Sequence, residues 1–264
     1  MISLSIANNI AEVVLDAPHK LNSLDEQALA ELSQAYDDAA AAASRGEVRA
    51  LLLRGEGRAF CAGRDIQNVT PESDDAEAYL AGLVQPLLKK MSAFPAPTFA
   101  AAQGACLGVG LGLLLATDVV YVAENAKFGS PFAKLGATLD SGGHWYFTER
   151  LGMHRTLDLI YTAELMSGTE AVSRGMFSRA MPADSLLEST RAIVAQVAAG
   201  ATGAFTASKE LVAHIRDQRL GLWDAMAEEN AEQARLCQSE DYAEGFRAFQ
   251  EKRTPVFSGT PSAR

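Results

Sequence analysis

The stretch TFAAAQGACLGVGLGLLLATDVVYVAENAKFGS, residues 98–130, sets a glycine-rich segment between two apolar runs. Its first part, 98–104, is typical of a buried strand, and 118–130 is typical of a further strand and a turn. A second glycine-rich segment, GEGRAFCAGRDI at 55–66, follows the strand-like VRALLLRGEG at 48–57. Because strands alternate with helical patterns up to about residue 130, the sequence predicts an α/β core.

These glycine-rich segments allow two interpretations with different functions. The spacing in AQGACLGVGLGL at 102–113 can pass for a dinucleotide-binding fingerprint, yet no acidic residue ends a second strand roughly 20 residues later. The alternative is that each loop presents a backbone N–H, the second one at a helix N-terminus. Two converging donors would form an oxyanion hole for a carbonyl that gains negative charge. Taken singly, each loop is better explained by tight packing of a helix on a strand.

The N-terminal part of the chain predicts a hairpin, a helix and a loop. ISLSIA and IAEVVLD flank the turn-forming Asn8-Asn9 pair, which favours a β-hairpin. LNSLDEQALAELSQAYDDAAAAA has helical periodicity, with Ser23 as the predicted N-cap and Glu26 as its capping-box partner. The polar QNVTPESDDAEAY at 67–79 predicts a mobile loop that leads into a helix.

From residue 140 onward the pattern is almost wholly helical. Four segments have apolar stripes too wide for lone surface helices: 184–199, 202–217, 221–236 and 239–252. We therefore predict a core at residues 1–183 and a C-terminal helical region at 184–264 that packs on the core and on neighbouring subunits.

Composition excludes several classes of protein. The 264-residue chain carries a formal net charge of −10 and has a pI near 4.9, which argues against a nucleic-acid binder. The longest apolar stretch, 104–116, is too short and glycine-rich to span a bilayer, and the N-terminus lacks the features of a signal peptide. Cys61, Cys106 and Cys237 are too widely spaced for a disulfide framework or a zinc site. A soluble cytoplasmic protein without a metal, membrane or nucleic-acid partner is expected.

The segment KLGATLDSGGHW at 134–145 isolates one carboxylate, Asp140, in apolar surroundings directly before Ser-Gly-Gly. An aspartate in such surroundings is usually paired, caps a helix or carries protons. On spacing alone, an N-cap for a helix that runs through Arg150 is favoured. His144 in this segment is interpreted as a surface or pocket-rim residue rather than a second proton-transfer group.

Four segments together resemble the crotonase (enoyl-CoA hydratase/isomerase) superfamily. They are RAFCAGRDI at 58–66, the stretch 103–136, the Ser-Gly-Gly turn at 141–143 and SGTEAVSRGMFSRAMP at 167–182. The likeness covers nearly the whole chain, as far as the terminal AFQEKRTPVFSG. It implies an α/β fold with a crotonase-like spiral core of repeated ββα turns. It also implies a C-terminal helical trimerisation region, commonly assembled as a dimer of trimers.

The same resemblance implies an acyl-CoA substrate and a set of contacts. Matching of motifs assigns the two backbone N–H groups that hold the thioester carbonyl to Arg64 and Val109. A glycine is usual at the Val109 position, but a backbone amide donates whatever its side chain. Other residues implied along the acyl-CoA are Ala62, Asp65, Ile66, Gly108, Phe132, Leu139 and Trp145. Contacts of Lys20 and Lys252 with CoA phosphates are weighed against ordinary solvation, and no cofactor is implied beyond the coenzyme A of the substrate.

The carboxylates indicate which reaction of the superfamily to expect. Hydratases use two glutamates, at positions that here hold Gly112 and Phe132, so efficient hydration is not predicted. Asp140 matches the single acid/base of isomerase-type members, nearest to the enoyl- and epoxide-CoA isomerase type of phenylacetate degradation. The resemblance thus implies an isomerase in which Asp140 moves a proton along the acyl chain. An apolar wall of Phe132, Leu139 and Trp145 is expected to raise its pKa.

Three other functions stay open. An aryl-CoA dehalogenase of the superfamily carries a nucleophilic aspartate at the Asp140 position, but Phe132 replaces its tryptophan and no histidine follows CAGRD. A non-catalytic acyl-CoA-binding protein fits the loss of both glutamates, whereas the presence of Asp140 argues against it. Enoyl-CoA hydratase is the function that family likeness alone suggests.

Overall fold

The computed structural model describes residues 1–67 and 69–259. Its strands are β1 (Ile2–Ala7), β2 (Ile10–Leu15), β3 (Ala50–Gly55), β4 (Thr98–Ala102), β5 (Ala105–Leu107), β6 (Val119–Ala123), β7 (Lys127–Gly129), β8 (Met166–Ser167) and β9 (Arg179–Met181). β1 and β2 pair antiparallel around Asn8 (φ 52°) and Asn9 (φ 61°). Asparagine tolerates this left-handed backbone, which two-residue hairpin turns require. The predicted hairpin is confirmed.

The strands form two sheets, and the larger one is the core of the molecule. Its six strands lie in the order β1-β2-β3-β4-β6-β9, and from β2 onward each neighbouring pair is parallel. β3 and β4 are almost entirely buried, as expected for the apolar runs ALLLRG and TFAAA in a parallel sheet covered on both faces. The smaller sheet has the order β5-β7-β8 and lies beside the glycine-rich segments. The predicted α/β fold is confirmed.

The helices are α1 (Glu26–Ser44), α2 (Gln85–Ser92), α3 (Val109–Leu115), α4 (Gly143–Thr162), α5 (Gly168–Ser173), α6 (Leu186–Ala198), α7 (Thr202–Gln218), α8 (Leu222–Leu236) and α9 (Glu240–Glu251). A π-helical segment, Ala78–Val84, continues into α2. Gly152 has φ 73° and ψ 166°, and it kinks α4. The four helical segments predicted at the C-terminus correspond to α6, α7, α8 and α9.

Two local predictions are wrong. The N-cap of α1 is Asp25, whose carboxylate accepts a hydrogen bond from the Ala28 amide at 2.8 Å, and not Ser23. The reason is that Leu24 forms a parallel bridge with Arg64, so the chain stays extended past Ser23 before it can turn into the helix. The region after residue 140 is also not wholly helical, because β8 and β9 interrupt it and β9 completes one edge of the main sheet.

The C-terminal helices divide into two groups. Leu186, Thr190, Val194 and Ala198 of α6 are buried, and α6 contacts β3 and β4 of the main sheet. By contrast, α7, α8 and α9 leave large apolar side chains exposed, among them Val212, Leu222, Trp223, Phe246 and Phe249. A groove of about 460 Å³ runs between these three helices, lined by residues that include Leu236, Tyr242, Phe246 and Phe249. The two-region division at residue 183 stays a prediction.

None of the helices within the described ranges is both long enough and apolar enough to cross a membrane.

Candidate active site

The first glycine-rich loop, residues 59–65, is held between two neighbouring chain segments. Cys61 forms a parallel bridge with Cys106, through bonds from the Cys61 amide to the Ala105 carbonyl and from the Leu107 amide to the Cys61 carbonyl, both 3.0 Å. On the other side, the Leu24 amide donates to the Gly63 carbonyl (2.8 Å). Because successive peptide groups alternate in direction along an extended chain, the Arg64 amide points away from Leu24.

The second glycine-rich loop, residues 104–109, ends at the N-terminus of α3. Gly108 is the residue before the helix, with φ 52° and ψ −123°, and Val109 is the first helical residue. The first amides of a helix have no acceptor within the helix, so the Val109 N–H is free to bind another group. Within residues 1–67 and 69–259, neither the Arg64 amide nor the Val109 amide donates a hydrogen bond.

The two loops meet at Gly63. A Cβ atom on Gly63, which has φ 98°, would lie 2.8 Å from the Leu107 carbonyl oxygen and 3.8 Å from the Gly108 Cα. Only a glycine permits so close an approach, and the residues next along each chain are Arg64 and Val109. The two amides that sequence reasoning selected therefore lie in adjoining segments, and they remain the predicted oxyanion donors.

Asp140 lies in the turn that leads into α4, directly before Ser141, whose side chain lies beside Gly112 of α3. The residue before α4 is Gly142, and no side chain caps this helix. In the turn, the Asp140 main-chain carbonyl accepts a hydrogen bond from the Gly143 amide at 2.8 Å. The helix-cap interpretation of the Asp140 carboxyl is therefore wrong. Its Oδ1 is shielded from solvent and has no hydrogen-bond partner among the described residues.

The surroundings of Asp140 favour its protonated form. Burial raises the pKa of the carboxyl above its ordinary value, while the Ser141 hydroxyl and the Arg64 guanidinium oppose this shift more weakly. The Arg64 guanidinium is in turn paired with Asp74, at 2.6 and 3.0 Å, and lies 4.2 Å from the centre of the Tyr79 ring. A carboxylate with a raised pKa is a stronger base, which suits proton abstraction.

The two positions of the hydratase glutamates hold no carboxylate and are closed by neighbours. A Cβ atom on Gly112 would lie 2.4 Å from the Ser141 Cβ, so no side chain fits there beside Ser141. The Phe132 ring lies over the second loop, with its Cζ 2.8 Å from the place that a Cβ on Gly108 would take. Val109 is 0% exposed and belongs to the buried core.

The enoyl-CoA hydratase/isomerase family model matches residues 5–260, nearly the entire chain. The chain belongs to the enoyl-CoA hydratase/isomerase family. It is 36% identical over 262 residues to the probable enoyl-CoA hydratase of Rhodobacter capsulatus, with 98% of each protein covered. It is 29% identical over 260 residues to the 1,2-epoxyphenylacetyl-CoA isomerase of Escherichia coli, with 96% of this chain and 97% of that protein covered.

Solved structures of the family have the same fold. The crystal structure of an enoyl-CoA hydratase from Bacillus anthracis superposes with a TM-score of 0.88 at 27% identity, covering 98% of this chain and 99% of that one. The crotonase superfamily resemblance is thereby confirmed. Members of the family act on acyl-CoA, and this chain is an enzyme of the enoyl-CoA hydratase/isomerase family.

The three residues of the apolar wall that the family resemblance implied around Asp140 have different surroundings. Leu139 is buried and contacts Gly143, and Phe132 lies against Gly108. Trp145 is different, because it is 42% exposed and packs on Tyr146, with the Arg216 guanidinium 5.6 Å from its ring. Two residues along a helix turn the side chain by about 200°, so Trp145 points away from the side on which Gly143 is buried. Its predicted place in the wall stays a prediction.

The two lysines predicted at the CoA phosphates lie in different surroundings, and their contacts with CoA stay predictions. The Lys20 ammonium bonds Asp25 and Asp65, each at 2.9 Å, and these two carboxylates raise its pKa. A CoA phosphate would have to compete with these two carboxylates for the Lys20 ammonium. Asp65, itself predicted to lie along the acyl-CoA, is thus one partner of an ion pair. Lys252 is exposed and ends α9 with φ 56°.

The remaining candidates lie in or near the first loop or in the Asp140 segment, and the contacts of Ala62 and Ile66 with acyl-CoA stay predictions. The Ala62 amide donates to the Leu21 carbonyl at 2.9 Å, and Ile66 is 53% exposed beyond the loop. Burial raises the pKa of the Cys61 thiol to about 12 and also raises that of Cys106, which argues against either as a nucleophile. His144 is exposed and hydrogen-bonds Thr138 at 3.1 Å.

Sequence reasoning missed three residues that the structure places beside Gly112 or the Arg64 side chain. They are Ser141, which fills the space beside Gly112, and Asp74 and Tyr79, which hold the Arg64 side chain. Asp74 lies in the polar segment 67–79, where no pattern indicated a partner ten residues back. Ser141 could have been noticed, since it directly follows Asp140.

Proposed function

We propose that this protein isomerises acyl-CoA thioesters with one carboxylate, Asp140, and two backbone amides, those of Arg64 and Val109. One observation carries the proposal: Asp140 Oδ1 is shielded from solvent and has no hydrogen-bond partner among the described residues, and neither Gly112 nor Phe132 supplies a second carboxylate. Addition of water is favoured by two carboxylates, whereas movement of a proton needs only one group that takes it and returns it.

In this mechanism, the thioester carbonyl accepts hydrogen bonds from the amides of Arg64 and Val109. Asp140 removes an acidic α or γ proton, and the negative charge that develops on the carbonyl oxygen is stabilised by the two amides. Asp140, now protonated, returns the proton to another carbon of the conjugated system. The double bond moves and nothing is gained or lost, so no cofactor is required beyond the coenzyme A of the substrate.

The raised pKa of Asp140 serves both halves of this cycle. A carboxylate that is destabilised by burial binds a proton from carbon more readily than an exposed one. A positioned acid/base of this kind contributes roughly 10²–10⁴-fold to the rate.

The experiment is incubation of the purified protein with 2-enoyl, 3-enoyl and epoxyphenylacetyl thioesters of CoA, followed by mass spectrometry and chromatography of the products. Isomerisation gives a new species of unchanged mass, hydration adds one water, and dehalogenation of a chloroaryl thioester loses halide. Asp140→Asn should abolish the isomerisation, while the matched variant Asp38→Asn, on the exposed face of α1, should not. Hydration as the main activity, or binding without any turnover, would refute the proposal.

We further propose that the protein assembles as a trimer or a dimer of trimers and works in the cytoplasm. The exposed apolar side chains of α7, α8 and α9, together with the groove between these helices, support a covered surface. Cys61 and Cys106 are free, buried thiols and Cys237 is a free, exposed thiol, which suits a reducing compartment.

A further inference from the structure

Two consecutive residues ahead of α1 have a left-handed backbone. Leu21 has φ 55° and Asn22 has φ 57°, and Asn22 is only 1% exposed. Asparagine takes up this conformation more readily than most residues, whereas leucine does so at a cost. Such a backbone persists where the surrounding contacts determine it, and asparagine is seldom so deeply buried. Both features direct attention to the hydrogen bonds of the Asn22 side chain.

The Asn22 carboxamide joins the segment before α1 to the turn that follows β3. Its Oδ1 accepts a hydrogen bond from the Ala17 amide at 2.8 Å. Its Nδ2 donates to three main-chain carbonyls, those of Glu56 at 2.9 Å, Ala59 at 2.8 Å and Phe60 at 3.1 Å. A carboxamide accepts at one atom and donates at the other, which a carboxylate or a hydrocarbon side chain cannot do. These three carbonyls lie directly before the first glycine-rich loop.

A second carboxamide holds the other part of the same turn. Gln103 Nε2 donates to the carbonyls of Gly55 at 2.8 Å and Gly57 at 3.0 Å. The Gln103 carbonyl also accepts from the Phe60 amide at 2.7 Å, directly before the second glycine-rich loop begins. Two side-chain amides therefore bind the carbonyls of residues 55, 56, 57, 59 and 60.

The segment that carries the buried asparagine also pairs with the first loop through its main chain. The Ala62 amide donates to the Leu21 carbonyl and the Asp65 amide donates to the Leu24 carbonyl, both at 2.9 Å. The Arg64 amide lies between these two bonds and donates to no group within residues 1–67 and 69–259. One short segment thus fixes the loop on both sides of the amide and, through its asparagine, the turn before the loop.

We propose that Asn22 is a positioning residue for the Arg64 amide. This role rests on the proposed function, in which the Arg64 and Val109 amides stabilise negative charge on the thioester carbonyl. Donors of this kind act because they are oriented before the charge develops, and a displacement of about 1 Å can lower a rate roughly 10²-fold. Gln103 supports the same turn from the side of the second loop.

The test compares two ligands that differ only at the carbonyl group. They are butyryl-CoA, which is a thioester, and S-butyl-CoA, a thioether in which two hydrogens replace the carbonyl oxygen. In calorimetry the wild type should prefer butyryl-CoA, because only this ligand can accept a hydrogen bond from the Arg64 amide. Asn22→Gly removes the carboxamide and leaves a residue that suits φ 57°. It should reduce the preference roughly 2–10-fold, the usual effect of one hydrogen bond, with unchanged affinity for S-butyl-CoA.

Two further variants complete the design. Asn9 provides the matched control, because it has φ 61°, is exposed and donates its side-chain amide only to the Glu47 carbonyl at 3.3 Å. Asn9→Gly should keep the preference of the wild type. Gln103→Ala removes two bonds of a partly exposed side chain, so it tests the turn even if Asn22→Gly does not fold. It should reduce the preference in the same direction, and kcat of isomerisation should fall roughly 10²-fold in Asn22→Gly.

The outcomes distinguish positioning from a purely structural role. A lower midpoint of urea unfolding with an unchanged preference would overturn the role of Asn22, whether found in Asn22→Gly or, where that variant does not fold, in Gln103→Ala. Equal weakening of both ligands would overturn it as well. A wild type without any preference would refute the oxyanion hole of the proposed function, and the role of Asn22 with it. A preference that depends on Asn22, in a protein without isomerase turnover, would refute the proposed isomerisation alone.

Discussion

The variant Asp140→Asn distinguishes the proposed catalytic role of the Asp140 carboxylate from its destabilising effect on the folded protein. Asparagine has nearly the same shape, and it cannot accept a proton from carbon. If Asp140 is the proton carrier, kcat of isomerisation should fall by roughly 10²–10⁴-fold. Affinity for acyl-CoA should change little, because the amides of Arg64 and Val109 remain in place.

The same substitution should stabilise the protein at neutral pH. Burial raises the pKa of Asp140 in the folded state above its unfolded value of about 3.9, so the folded protein holds this proton more tightly. The contribution of Asp140 to stability therefore falls as the pH rises from the unfolded pKa through the folded pKa. Each unit between the two pKa values is worth about 1.4 kcal/mol. Asparagine titrates nowhere in this range and does not suffer this loss.

The assay is urea unfolding of the wild type, Asp140→Asn and the control Asp38→Asn at several pH values between 4 and 8. The stability of Asp140→Asn relative to the wild type should increase with pH and level off above the folded pKa, while the control shows no such trend. A variant that is less stable than the wild type at pH 7 and equal at pH 4 would show that the ionised carboxylate is paired in the native state. That result, or wild-type turnover in Asp140→Asn, would refute the reasoning.

Three further predictions concern other parts of the chain. Gly112→Glu alone should lower the free energy of unfolding by roughly 1–3 kcal/mol, because the new side chain meets Ser141. The double variant Gly112→Glu with Ser141→Gly should regain this stability and should also hydrate enoyl-CoA, which mass spectrometry detects. A single variant as stable as the wild type contradicts this. Asp241→Ala should lose about 1–3 kcal/mol in urea unfolding, because its carboxylate accepts three hydrogen bonds from residues 258–259; an unchanged midpoint contradicts this. Phe249, 85% exposed on α9, should be covered in the assembly, so Phe249→Asp should shift sedimentation toward the monomer, unless the wild type is itself a monomer.

The fold was largely predictable from the sequence because its main elements carry strong patterns. β3 and β4 are continuous apolar runs, and the bounds of α6 to α9 fall within two residues of the predicted segments. The strands that were missed, β8 and β9, have only two and three residues, too few to show a period. Their place is fixed by pairing with β7 and β6, far away in the sequence.

In the candidate site, the family resemblance assigns Arg64, Val109 and Asp140 by their places in motifs, and these roles stay predictions. The site was not predictable where a side chain finds a distant partner. The ion pair of Lys20 with Asp65 spans 45 residues, and no local pattern encodes it. The exposure of Trp145 depends on which residue begins α4, a boundary that sequence patterns fix only to within a few residues.

Residues 112 and 141 have to be considered as a pair. By itself, Gly112 indicates a catalytic side chain that has been lost, and Ser141 indicates an unremarkable small residue before two glycines. The 2.4 Å between a Cβ on Gly112 and the Ser141 Cβ shows that each position excludes the side chain that the other could otherwise carry. A glutamate at 112 therefore requires a glycine at 141, while a serine at 141 requires a glycine at 112. A carboxylate at residue 112 is therefore coupled to the loss of the side chain at residue 141, because the two positions share one space beside α3.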